Sequence, residues 1–186
     1  MTDPFDRPES EPGPPVPAGL TVLAGPPAAG RSAVVQAIRR GYPQIWLSVQ
    51  VTTRQPQPGE APGADHAFVG PAEFDRLVAA GDLLEWARYA GHRYGTPRSP
   101  VADRLRSGVP VLLDLDVAGA RQVRTAVPDA LLVFLGSPSA KEPAACPGSR
   151  GSDADFDITL VNTSVEDASA QLVALMTGQP ASQPAR

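Results

Sequence analysis

Leu20-Thr-Val-Leu-Ala-Gly25-Pro-Pro-Ala-Ala-Gly30-Arg-Ser32-Ala-Val-Val-Gln-Ala-Ile-Arg-Arg40 reads as a strand, a loop bounded by glycines and a helix. The first five residues are apolar and rich in β formers, enough for one buried strand. From Ala33 the apolar residues recur at helical spacing, and Gly41 stands where the helix would stop. Between them Gly25, Pro26, Pro27, Ala28, Ala29, Gly30, Arg31 and Ser32 have the spacing of a phosphate-binding P-loop, with a hydroxyl opening the helix. Such a loop holds an anion by aiming backbone N–H groups and a helix N-terminus at it. Arg31 stands where the pattern has Lys, and Pro27 removes one backbone donor. Taken alone, the segment fits a Gly/Pro turn between a strand and a helix equally well.

The 186 residues suit one domain with a full core. A net charge of −4 argues against non-specific binding to nucleic acid or to an anionic membrane. No apolar run approaches a membrane span, and the N-terminus lacks a basic-then-apolar leader pattern. A single cysteine, Cys146, forms no internal disulfide, which fits a reducing cytoplasm. With only His66 and His92 besides, a structural zinc site is not expected.

Proline and glycine locate the boundaries. Residues 1–18 are acidic and Pro-rich, with too few apolar groups to offset the entropy of ordering, and are expected to form a disordered tail. A domain is expected over 19–177, followed by a second disordered tail over 178–186. Within the domain, 46–51, 67–69, 109–116, 130–135 and 157–161 read as strands, and 83–89 with 92–95 as a hairpin around Ala90-Gly91. Helices are predicted over 71–80, over 100–107 behind a Ser99 cap, over 117–127, and from a Ser164 cap onward. Residues 136–152 show no periodicity. Alternating strands and helices predict an α/β fold: three layers around a mostly parallel sheet, with a small antiparallel insertion between about 46 and 95. Asp114 and Asp116 fall at the C-terminal end of one strand, where such sheets place ligands.

Six segments go beyond spacing. Gly25-Pro-Pro-Ala-Ala-Gly-Arg-Ser32, Val51-Thr-Thr-Arg54 with Pro58-Gly-Glu60, Gly63-Ala-Asp65, Leu84-Glu-Trp-Ala87, Tyr94-Gly-Thr-Pro97 and Leu113-Asp-Leu-Asp116-Val-Ala-Gly-Ala-Arg121 resemble the guanylate kinase family, in order and at its intervals. The resemblance implies a GMP-binding insertion, an arginine-bearing lid, and magnesium-dependent phosphoryl transfer from ATP to GMP. It implies that Arg54 holds the GMP phosphate, with Tyr94 adding a hydroxyl and Glu60 supporting the site. Glu85 and Asp116 would accept hydrogen bonds from guanine N–H groups. Asp114 would sit near magnesium and the phosphates, Ser32 would be the weak magnesium-side hydroxyl, and Asn162 falls on the adenine side. Arg31, Ser32 and Asp114 form the catalytic set so implied.

Each has a plainer alternative: Glu85 as a solvated strand residue, Tyr94 as edge packing, the two aspartates as caps, Arg54 as a loop charge. The preserved intervals weigh against those alternatives for Arg54, Glu85, Tyr94 and Asp116 together. The departures from the family are Arg31 for Lys, Gln50 for a small hydroxyl residue, Gln57 for a second phosphate-binding arginine, and His66 for a phosphate-contacting tyrosine. His66 still offers a hydrogen bond. In place of the family's lid stands the coil 136–152 with Lys141 and Arg150. Because phosphoryl transfer is mostly positioning and charge neutralisation, these departures predict a degenerate member, a pseudoenzyme. It would bind GMP or another guanine nucleotide with transfer weak or lost. The alternatives are an active enzyme using Mg2+ with ATP, and a module that binds a phosphopeptide or protein partner through the old GMP pocket.

Overall fold

The structure, a computed structural model, describes residues 19–61, 63, 66–138 and 155–178. The tail expected over 1–18, the chain after Gly178, Asp65, and most of the coil put in place of a lid, with Lys141, Cys146 and Arg150, lie outside the described residues.

Five strands form a parallel sheet in the order β2 (Trp46–Leu47), β7 (Val111–Asp114), β1 (Leu20–Ala24), β8 (Leu131–Gly136), β9 (Ile158–Val161). All four pairings are parallel. The pleat sorts β1 between two cores. Leu23 points to one side, where α1 (Arg31–Gly41) contributes Val34 and Ile38 and α5 (Val165–Thr177) contributes Leu172 and Met176. Leu20, Val22 and Ala24 point to the other, towards Val101 of α3 (Arg98–Arg106) and Ala120 and Val123 of α4 (Val117–Ala126). Helices on both faces of a parallel sheet are the predicted three layers. Among the described residues no helix is long and apolar enough to cross a membrane.

A second, four-stranded sheet runs β4 (His66–Phe68), β3 (Gln50–Thr52), β6 (His92–Pro97), β5 (Leu83–Tyr89). Its β3–β6 and β5–β6 pairings are antiparallel and its β3–β4 pairing is parallel, so the insertion is a mixed sheet. Val51 and Leu83 bury against Phe74 of α2 (Pro71–Ala79). The hairpin turns at Ala90 and Gly91, both with positive φ (49° and 80°), the twist that suits a two-residue connection.

Three local expectations are corrected. Residues 46–51 are not one strand: β2 belongs to the core sheet, β3 to the smaller one, and the chain changes sheets at Ser48–Val49. Ser99 does not cap α3, which opens at Pro97 without a side-chain cap because Pro97 sets the entry; Ser99 lies inside the first turn, 3.4 Å from the Asp103 carboxylate. Gly41 is the last residue of α1 rather than its stop, and Tyr42 closes the helix. Ser164 is the expected cap of α5, accepting from the Asp167 N–H at 3.0 Å.

The sheet order reverses about β1: the helix after it leads to β2 on one flank, while β8 and β9 fill the other. The crevice beyond the carboxyl ends of β1 and β7 is therefore where a ligand is expected.

Candidate active site

Gly25 ends β1 with φ 153°, and a Cβ there would lie 2.3 Å from the Leu135 carbonyl oxygen. Only a residue without a side chain lets the chain leave the sheet at this point. Pro27–Ala29 then make one turn of 3-10 helix, within which the N–H groups of Ala29 and Gly30 bond to the carbonyls of Pro26 and Pro27. Gly30, at φ 74°, starts α1 with no side-chain cap, and such an uncapped helix start leaves backbone N–H groups for an anion.

Arg31, the first residue of α1, turns back onto the sheet. Its Nη1 donates to the Gly25 carbonyl at 2.6 Å and its Nε pairs with Asp114 at the end of β7. Burial pushes the Asp114 carboxyl above its ordinary range, and the guanidinium opposes that shift. On the far side of the loop, Asn162 at the end of β9 donates to the Ala29 carbonyl at 2.7 Å, while its own oxygen is buried without a hydrogen-bond partner.

Across the crevice, Glu60 grips Arg54 in a two-pronged contact, at 2.6 and 2.8 Å, and also accepts the Gln57 N–H at 2.7 Å. These hydrogen bonds, that from Arg54 first, hold the Glu60 carboxyl down at about 2, and the same contact raises Arg54. A carboxyl depressed in the folded state contributes its stability above its unfolded value near 4.5, and loses it as pH falls towards 2, so the pair is intact at neutral pH. The His66 ring lies 3.6 Å from Glu60 and edge-on to Tyr94. Gln57 contributes its backbone here, not a substitute for a second cation.

Glu85 sits deeper, 4% exposed. An irregularity in the β5–β6 register between Leu83 and Glu85 turns it inward. There Thr96 donates to its Oε1 at 2.6 Å and Gln50 to the same oxygen at 3.3 Å. Burial raises the Glu85 carboxyl above its ordinary range, and the neighbouring Asp116 adds to the rise. Asp116 is also the N-cap of α4, accepting the Gly119 N–H at 2.7 Å. A Cβ at Gly119 would lie 3.3 Å from both the Asp116 Oδ1 and the Glu85 Oε2, so the two carboxylates converge on a glycine.

One open cavity of about 490 Å³ joins these parts; Ser32 and Asp114 line it on the sheet side, and Gln50, Glu60, His66 and Thr96 on the insertion side. Arg54 and Tyr94 reach it through Glu60 and His66, and Glu85 through Gln50 and Thr96. Of the predicted residues, Ser32, Asp114, Glu60 and His66 line this space, Arg54, Tyr94 and Glu85 stand one contact behind it, and Asn162 is placed against the loop. Thr96 was missed by the sequence reading. Its signal was the strand period, which puts it on the same face as Tyr94. Among the described residues no group of three or more acids, histidines or cysteines could cage a metal. Magnesium needs only one or two protein oxygens beside substrate phosphates, and the Ser32 hydroxyl with the Asp114 carboxylate fits that requirement.

Comparison with known proteins bears on the chemistry. A sequence model of the family described as guanylate kinase matches residues 18–155. The chain is 50% identical to the guanylate kinase of Thermobifida fusca (strain YX), over 86% of its own length and 91% of that protein. It is 51% identical to that of Streptomyces kasugaensis, over 86% and 87%. The crystal structure of guanylate kinase from Anaplasma phagocytophilum superimposes with a TM-score of 0.67 at 27% identity, covering 87% of this chain and 86% of that one. These similarities overturn the expectation of a pseudoenzyme with weak or lost transfer. Relatives half identical over most of the length carry the enzyme's name, and the family model runs through 136–152 to residue 155, so neither the altered single positions nor the expected loss of the lid marks a degenerate member.

Proposed function

This chain belongs to the guanylate kinase family, and we propose that it transfers the γ-phosphoryl group of ATP to GMP, yielding ADP and GDP. The observation that carries the reading is the shared cavity, with Ser32 and Asp114 on one wall and the supports of Arg54 and Glu85 on the other. Donor and acceptor phosphates held across such a space react as neighbours rather than as partners meeting in solution.

On the acceptor side, Glu85 and Asp116 offer carboxylate oxygens to the guanine N–H groups. A base without those donors would leave buried acceptors unpaired, which is how a polar pocket rejects it. Arg54, pre-set by Glu60, presents a guanidinium to the GMP phosphate, with His66 beside Glu60. On the donor side, Gly25–Ser32 cradles the ATP phosphates, Asn162 braces the loop, and Arg31 brings positive charge next to the transferred group. The Ser32 hydroxyl and the Asp114 carboxylate would hold the magnesium that comes with ATP, and the ion would supply charge neutralisation of the phosphates. An oxygen of the GMP phosphate attacks the γ-phosphorus and the bond to the β-phosphate oxygen breaks. The protein's part is alignment and electrostatics. Gln50, Gln57 and His66 adjust the acceptor site without removing it. The setting is the cytoplasm, with free nucleotides as partners rather than nucleic acid or membrane.

A coupled assay with ATP, magnesium and GMP tests this: turnover well above a no-enzyme control is expected, with AMP a poor acceptor. Turnover at the control level would end the proposal. Arg54→Ala should raise KM for GMP roughly 10- to 100-fold, the scale of a lost hydrogen bond to a charged group, while KM for ATP stays near the wild-type value. Unchanged KM for GMP would show that Arg54 does not hold the phosphate.

A further inference from the structure

The smaller sheet ends at β5, whose outer edge has no strand partner among the described residues. At Trp86 that edge is paired nonetheless. The Gln122 side chain of α4 donates from Nε2 to the Trp86 carbonyl at 3.1 Å, and its Oε1 accepts the Trp86 N–H at 3.2 Å. A carboxamide carries the same donor and acceptor as a peptide group. Gln122 therefore stands in for one residue of an absent neighbouring strand, and it joins the insertion to the core.

We propose that Gln122 is a positioning residue for the base-recognition acids, clasping β5 to α4 so that Glu85 and Asp116 meet at one point. Three features on successive turns of α4 face this region: Asp116 at the cap, Gly119 between the two carboxylates, and Gln122 at Trp86. Trp86 follows Glu85 directly and its ring stacks edge-on against Phe74, so the residue is held by α2 through its side chain and by α4 through its backbone. Sliding or lifting β5 off α4 would carry Glu85 away from Asp116, and a base spanning both would lose one of its two acceptors. The clasp stabilises the fold little, because Trp86 is partly exposed and water can serve its freed backbone groups. Its effect is on geometry.

The inference rests on the reading of Glu85 and Asp116 as guanine acceptors, and the test separates the two. Steady-state kinetics are measured for the full chain and for Gln122→Met, which keeps the length and bulk but has no hydrogen-bonding pair, with Glu85→Gln as the control. Gln122→Met should raise KM for GMP about tenfold, the scale of two lost neutral hydrogen bonds. KM for ATP should stay within about twofold and the melting temperature within about 3 °C. If Glu85→Gln weakens GMP but Gln122→Met leaves KM for GMP at the wild-type value, the clasp is not a positioning device. Equal rises in both KM values, or a large loss of melting temperature, would make Gln122 a general structural residue and overturn the inference. If Glu85→Gln leaves KM for GMP unchanged, the base-acceptor reading itself falls and the inference with it.

Discussion

Arg31→Ala should lower kcat roughly 10²- to 10³-fold, the range for removing one preorganised group that stabilises transition-state charge. The side chain lies where three parts of the donor site meet: the Gly25 carbonyl at the end of β1, Asp114 at the end of β7, and the start of α1. Alanine removes the cation and also leaves the Asp114 carboxyl, already pushed up by burial, without the charge that opposes the shift. A share of the variant would then hold Asp114 protonated at pH values where the parent holds it ionised. The pH–rate profile of Arg31→Ala should accordingly fall off at a higher pH on its acid side. Arg31→Lys restores charge but not the fork: an ammonium on a flexible stem cannot reach both partners in the same geometry, so its kcat should lie between those of the parent and Arg31→Ala. Saturating-substrate kinetics measure both variants. A loss below about tenfold for Arg31→Ala would show that the guanidinium does not face the transferring phosphoryl group.

The second large effect is structural. Gly25→Ala should destabilise the fold by about 3 kcal/mol, combining strain at a disfavoured φ with overpacking. The added methyl meets the Leu135 carbonyl oxygen, part of a backbone that cannot give way without disturbing the pairing of β1 with β8. Gly30→Ala is the informative contrast. Its Cβ would come 2.8 Å from the Asn162 side-chain nitrogen, the end of a side chain rather than backbone, so although its φ of 74° adds about 1 kcal/mol of left-handed strain, its loss should be smaller. Urea melts of the two variants decide the matter: equal midpoints would contradict the assignment of Gly25 as the point where the backbone is fixed.

Much of this was legible because it is local. A strand, a glycine-bounded loop and a helix announce themselves by period and punctuation, and Ser164 marks the start of α5 by its own chemistry. The change of sheet at Ser48–Val49 was not legible. Both flanking segments are extended, neither Gly nor Pro separates them, and only the identity of their neighbours, β7 for one and β6 for the other, distinguishes the sheets. The Gln122 clasp is hidden for the same reason, since 36 positions separate its two halves and neither has a local signature. Arg54, Glu60, Glu85, Tyr94 and Asp116 could be picked out through the family resemblance. Their mutual contacts could not, and the fork between Arg54 and Glu60 shows that the first is pre-set by the second. Arg31 misled in the opposite direction: read as a damaged lysine position, it is a bridge between two strand ends.

The turn at Pro27–Ala29 decides which backbone donors an incoming phosphate can use. Pro26 and Pro27 have no N–H to offer, and those of Ala29 and Gly30 already serve the chain's own carbonyls. In this conformation the loop's share of the grip falls to the start of α1 and to the charge of Arg31. A phosphate seated here would be held chiefly by a helix end and a side chain rather than by a ring of loop amides.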